Sequence, residues 1–254
     1  MSVTSTALIV ALISAAVSLA TALGVERSRR RSSVALAQFE DELARRREAE
    51  GKKSQADRLV SRYRDPLLLS AFDLQSRLYN ILRPGGFIGR RHPEYMQLNT
   101  LFLVAQFFAW LEILRLDMQF LDLGEIEETA LLSQRLSRVT DIFASTSRYQ
   151  DDFYIYRGEQ RAMGELLVIT RAVATEQSRL ECMGYAGFVG HYDNPAFAAW
   201  FERFRLAIAT LPSSRADRLR DIQNALIDLI EFLDPSTTRF VGSRERIVRS
   251  ATSN

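Results

Sequence analysis

The chain is expected to be all-α: an N-terminal single transmembrane helix plus stalk, then a cytoplasmic bundle of about six or seven helices. Three observations lead there. No charged residue occurs from Val3 to Val25, and Glu26-Arg27-Ser28-Arg29-Arg30-Arg31 follows at once. Downstream, apolar residues recur at three- and four-residue spacing over long segments. The 12 glycines and 6 prolines fall mostly between those segments, which favours long helices over a meander of short strands.

The first element is the apolar run 3–25. A bilayer core about 30 Å thick needs roughly 20 helical residues, and Val3–Val25 supplies them, rich in Ala, Leu, Ile and Val. Its hydroxyls at Thr4, Ser5, Thr6, Ser14, Ser18 and Thr21 can bond back to helix carbonyls. A cleaved signal peptide wants basic residues before a shorter run. Here they come after it, although Ala20-Thr21-Ala22 would pass as a cleavage site. Basic residues flanking a span stay on the cytoplasmic side. Arg27, Arg29, Arg30 and Arg31 therefore orient the N-terminus outward and the body inward, at the cell membrane. They also suit anionic lipid headgroups.

Residues 26–64 read as a charged helical stalk. Glu40, Asp41 and Glu42 precede Arg45, Arg46 and Arg47, a spacing suited to i,i+4 pairs. The apolar stripe Val34, Leu36, Phe39, Leu43 is too short for a sustained coiled coil. Gly51-Lys52-Lys53-Ser54 is expected to interrupt the stalk.

Residues 65–235 form the expected helical domain. Asp65-Pro66 reads as a helix start, followed by the stripe Leu67, Ala71, Leu74, Leu78, Ile81. Pro84-Gly85-Gly86 ends that helix. The next, about 94–121, is apolar nearly all round. Its Leu98–Leu114 segment is a conceivable second span, but it is short and carries Asn99, Gln106 and Glu112, so it reads as the buried central helix. Further helices are expected over about 125–144, 158–176, 194–212 and 214–233. Asn194-Pro195 and Ser214 start the last two, and Asp234-Pro235 stops the chain's last helix. The remainder, 236–254, reads as a flexible tail whose Arg244, Arg246 and Arg249 could reach lipid.

Composition narrows the chemistry. Basic and acidic residues nearly cancel, 33 against 31. The excess of positive charge lies in 26–64, which leaves the body mildly acidic and argues against nucleic acid as a partner. Cys182 is the single cysteine, so there is no disulfide framework, and a nucleophilic role would need a base near it. His92 and His191 lack zinc-protease spacing. Gly184-x-x-Gly187-x-x-Gly190 is not a dinucleotide fingerprint, and packing or turns account for it better. No cofactor, metal or catalytic set is expected. Charged and amide residues on apolar helices remain: Asp73, Arg77, Asn80, Asn99, Gln106, Glu112 and Arg115. They form either a buried ion network or the wall of a polar interhelical pocket.

Arg64-Asp65-Pro66-Leu67-Leu68, with the Ala71–Ile81 block AFDLQSRLYNI, resembles an uncharacterised family of bacterial helical proteins with plant relatives. Asn99-Thr100-Leu101, Trp110–Arg115, Glu181–Tyr185 and Phe232–Pro235 are similar to later blocks of that pattern. The likeness covers about Arg64 to Pro235. It implies a coherent domain and lends no catalytic residues. The functional expectation is a membrane-anchored scaffold, adaptor or sensor with a protein partner. The alternative is an enzyme or small-ligand receptor using the polar pocket.

Overall fold

A computed structural model describes residues 3–83, 92–118, 127–149, 151–172, 179–209 and 216–248. Within 3–35 only the side chains of Ser18 and Thr21 are described, and those of 37, 55, 56, 59, 60, 118, 127 and 128 also fall outside the described set. The chain divides into two units, Met1–Ser54 and Gln55–Asn254. It is mostly helical. The described residues hold eight helices and one two-stranded sheet.

The first unit is helical from Val3 onward, the opening part of α1 (Val3–Leu82). The apolar run 3–25 is helical in its backbone, as a span requires. The side chains of Arg27, Arg29, Arg30 and Arg31 lie outside the described residues. Leu36 and Phe39 are exposed, and Arg46 pairs with Glu42 at 2.5 Å and Lys52 with Glu48 at 3.1 Å. The break expected at Gly51–Ser54 does not occur. One helical glycine costs only about 1 kcal/mol, and its neighbours Ala49, Glu50, Lys52 and Lys53 are good helix formers.

In the second unit α1 carries Tyr63, Leu67, Leu68, Ala71, Leu74, Leu78 and Ile81 into the core, as the stripe predicts. Asp65-Pro66 does not start a helix. Pro66 lies inside α1, and Asp65 pairs with Arg239 instead of capping. A proline there removes the bond to the Arg62 carbonyl, a cost of about 3 kcal/mol. Burial of Leu67 and Leu68 beside it offsets this at roughly 1.5–3 kcal/mol for each side chain.

Helix α2 (Pro93–Met118) is the central element. Leu101, Val104, Ala105, Phe107, Phe108, Ala109 and Ile113 are buried. It packs most extensively on α4 (Arg157–Leu167) and also meets α5 (Tyr185–Tyr192), α7 (Glu202–Ala209) and the β-hairpin. Gly164 makes the α2–α4 contact possible: a Cβ there would stand 2.7 Å from the Phe108 carbonyl oxygen. Tyr63 and Arg62 of α1 reach Asp117 near the end of α2. Helix α3 (Glu127–Ala144) packs chiefly on α8 (Asp217–Leu233).

The helix expected through about residue 176 stops at Leu167. Strand β1 (Val168–Arg171) then pairs antiparallel with β2 (Arg179–Cys182), Val168 opposite Cys182 and Arg171 opposite Arg179. The β-branched run Val168-Ile169-Thr170 favours the extended form, and Arg171 pairs with Glu181 at 2.9 Å. The helix expected over 194–212 is two: α6 (Pro195–Ala198), capped by Asn194 on the Ala196 N–H, and α7. Phe197, Phe201, Phe204 and Ile208 are buried, whereas Trp200 is 46 % exposed. Residues 214 and 215 lie outside the described residues, so the Ser214 cap does too.

Two features hold the α8 end. Arg218 is fully buried, donates to the carbonyls of Ile142 and Phe143 at the end of α3, and pairs with Asp151 at 2.7 Å. The second overturns an expectation: residues 236–248 are no loose tail but pack, without regular secondary structure, along α1 and α8. Phe240 stacks on Phe72 at 5.9 Å. Arg244 and Arg246 pair with carboxylates at Asp234, Asp228 and Glu231 and so are not left for lipid. Arg249 lies outside the described residues.

Candidate functional site

The seven polar residues expected to share a pocket separate along α1 and α2. At one end, Arg77 bridges the two helices. Its guanidinium donates to Thr100 Oγ1 and to the Met96 carbonyl, each at 3.0 Å. No carboxylate accompanies it among the described residues, and burial holds its pKa down. The α1–α2 cavity here is small, about 70 Å³, lined by Ile81, Met96, Thr100 and Ile208.

Asp73, one turn earlier, does not pair with Arg77 despite the i,i+4 spacing. Burial alone raises its carboxyl pKa. Asn80 and Asn99 are half-buried. Gln106 leaves its Oε1 buried without a partner among the described residues.

At the other end of α2, Glu112 and Arg115 form the pair that i,i+3 spacing allows. Arg115 Nε donates to Glu112 Oε2 at 2.9 Å, and Nη2 holds the other oxygen. The Glu112 side chain is 5 % exposed and that of Arg115 42 %. Arg161 of α4 approaches Glu112 at 3.8 Å and Glu165 at 3.6 Å. From Thr100 to Glu112 is roughly 18 Å along a helix axis. One small ligand therefore cannot touch both the Arg77 cluster and the Glu112 cluster.

Two larger grooves lie elsewhere. Between α2 and α3, Leu111, Leu114, Arg115, Ser133, Leu136 and Thr140 line an open, mainly apolar groove of about 540 Å³. Arg115 is thus the member of the seven that borders it. Between α3 and α8 lies a polar groove of about 740 Å³. Its charges are engaged: Arg148 holds Asp221 at 3.1 Å, Arg157 holds Asp141, and Arg138 reaches Asp228 at 3.2 Å.

The other candidates resolve locally. Burial pushes the Cys182 thiol up to about 12, the opposite of what an activated nucleophile needs. His191 Nδ1 is 2.8 Å from the Gly187 carbonyl oxygen, one turn back on α5. Gly184 caps α5, and Gly187 sits close against Met183. Among the described residues no three of His, Cys, Asp or Glu converge as metal ligands.

Sequence reasoning missed several buried polar groups, the Arg218–Asp151 pair among them. Gln75 and Gln223 sit 3.4 Å apart in the core-facing layer of α1 and α8. A signal existed: each occupies a position of an otherwise apolar stripe, among Ala71, Leu74 and Leu78 and among Leu219, Ile222 and Leu226. Arg161 is a further omission, and only the folding of α4 onto α2 brings it to Glu112. No family model matches the chain, and neither does any curated protein or solved structure.

Proposed function

We propose that the chain is a membrane-tethered helical scaffold, adaptor or sensor whose cytoplasmic body acts by binding a protein partner. The observation that carries this reading is the charge-free run Val3–Val25, ended by Arg27, Arg29, Arg30 and Arg31, at the head of a long helix. Lipid solvates such a run, and the flanking arginines hold the body on the cytoplasmic side. Affinity capture of the full chain from detergent-solubilised membranes should recover one partner in near-stoichiometric amount. Recovery of none, from protein that still melts cooperatively, contradicts the reading.

A specific observation favours a second reading, a small-ligand receptor or enzyme. Asp73 and the Gln106 carbonyl oxygen are sheltered polar groups with no hydrogen-bond partner among the described residues, and a ligand that donates hydrogen bonds would satisfy either. A thermal-shift screen tests this. A ligand whose stabilisation disappears in Asp73→Ala, with the melt otherwise intact, would favour the receptor.

A further inference from the structure

The segment 239–248 is held by side-chain contacts to its backbone. Gln75 Nε2 donates to the Ser243 carbonyl at 3.1 Å. Gln223 Nε2 donates to the Glu245 carbonyl at 2.8 Å, and its Oε1 accepts from the Ile247 N–H at 3.4 Å. One carboxamide thus satisfies the carbonyl and the N–H on either side of residue 246, as a neighbouring β-strand would. Asn224 Nδ2 adds the Ile247 carbonyl at 3.5 Å.

Side chains supply the register. Gly242 lies against the Phe72 ring, where a Cβ would come within 2.0 Å of Cζ. Arg244 pairs with Asp234 at 2.7 Å, and Arg246 spans Asp228 and Glu231 at 2.7 and 2.8 Å. Tyr79 donates to Glu245 at 2.6 Å. Val241 and Val248 stand out in solvent.

The interface is therefore mostly amide and ionic. Water can replace such partners when the segment leaves, whereas an apolar seat would be left exposed. A groove that reads backbone with buried amides and side chains with placed charges is how extended peptides are recognised.

We propose that the α1–α8 groove is a binding site for an extended peptide of the pattern aromatic-x-Gly-x-Arg-x-Arg, occupied in cis by residues 239–248 as a displaceable strap. A partner's segment of the same pattern takes its place. The proposal rests on the adaptor reading for its partner, but its test does not depend on finding one.

The test uses the full chain in detergent micelles and a fluorescent synthetic peptide of residues 236–254. Native chain binds the peptide weakly, because the tethered strap competes at high effective concentration. Full chain carrying Arg244→Glu and Arg246→Glu loses that competitor while the groove stays intact. It should bind the native peptide at a concentration at least about tenfold lower, and a peptide with the same two substitutions should not bind. Absence of saturable binding by a variant that still melts cooperatively overturns the proposal. Hydrogen exchange on the native chain serves if the variant does not fold. Amides of Phe240 and Ile247 should exchange at least about a hundredfold faster than those of Leu226 and Ile227, and equal rates overturn the proposal. Either failure leaves membrane tethering and partner capture standing.

Discussion

The run Val3–Val25 and helix α2 are both long, helical and apolar, yet they differ in charge: the run carries none, whereas α2 carries Glu94, Glu112, Arg115 and Asp117. Among the described residues, Pro93–Asp117 is long and apolar enough to cross a membrane. Its polar and apolar side chains nonetheless find protein. Glu112 is held by Arg115 and Arg161, Thr100 by Arg77 and the Met96 carbonyl. Phe107 and Ile113 are buried, and Gly164 brings α4 onto its backbone. Val3–Val25 has no charge to neutralise, and a basic cluster ends it. Apolar length alone therefore does not mark a span. The accommodation of the charges on a helix separates a core helix from a membrane one.

That contrast predicts opposite responses to substitution. Ile13→Asp places a carboxylate mid-run at a cost of roughly 2.5–3.5 kcal/mol for insertion. Most of the protein should move from the membrane pellet to the supernatant after alkaline carbonate washing, while the melt of the folded body stays unchanged. Gly164→Val should act on the body instead. Its side chain would press on the Phe108 carbonyl, so thermal denaturation should show a loss of about 3 kcal/mol, a Tm fall of roughly 6 °C or more. Membrane retention should not change.

Smaller effects follow from the charges beside the core. Arg115→Ala leaves the Glu112 carboxylate buried with only Arg161 nearby and should cost about 2–3 kcal/mol in denaturant titration. Glu112→Gln removes the charge that needs a partner and lets both arginines reach water. It should cost about 1 kcal/mol or less. The smallest expected effect is stabilising. Burial raises the Asp73 pKa above its unfolded value, so the folded state binds its proton more tightly. Stability should then fall as the pH rises from the unfolded aspartate pKa through the folded one. Asp73→Asn should raise the Tm at pH 7 slightly, and the gain should vanish below about pH 4.

Much of the architecture could be read from periodicity. Helices α2, α3 and α8 follow from apolar spacing, and α8 ends at Asp234-Pro235 as expected. The failures have physical causes. Pro66 is a legitimate helix start by local rules, and only the burial of Leu67 and Leu68 carries the helix through it. Val168–Arg171 continues the helical spacing of α4, but β-branching and pairing with Arg179–Cys182 prevail. The tail looked too polar to order. Its partners include Gln75, Gln223 and the carboxylates of Asp65, Asp228, Glu231 and Asp234, and their convergence is a tertiary fact.

The candidate site divides along the same line. Glu112 and Arg115 are three residues apart and pair as local spacing allows. Asp73 and Arg77 are four apart and do not, because Arg77 turns to the first turns of α2. Asp234 illustrates how the chain just after a helix acts on a single group. Burial pushes its carboxyl up, but the N–H groups of Arg239, Phe240 and Thr238 and the Arg244 guanidinium outweigh that and leave it below the ordinary aspartate value. Its contribution is present above the unfolded pKa and is lost as the pH falls through the folded one. The docked tail should accordingly loosen only in strong acid, as hydrogen exchange at Phe240 would register.

The placement of the body is the central claim, and protease accessibility tests it most directly. Protease added to intact cells should leave the folded body uncut, while the same protease added to inside-out membrane vesicles should digest it. Digestion in intact cells with protection in the vesicles would contradict the account.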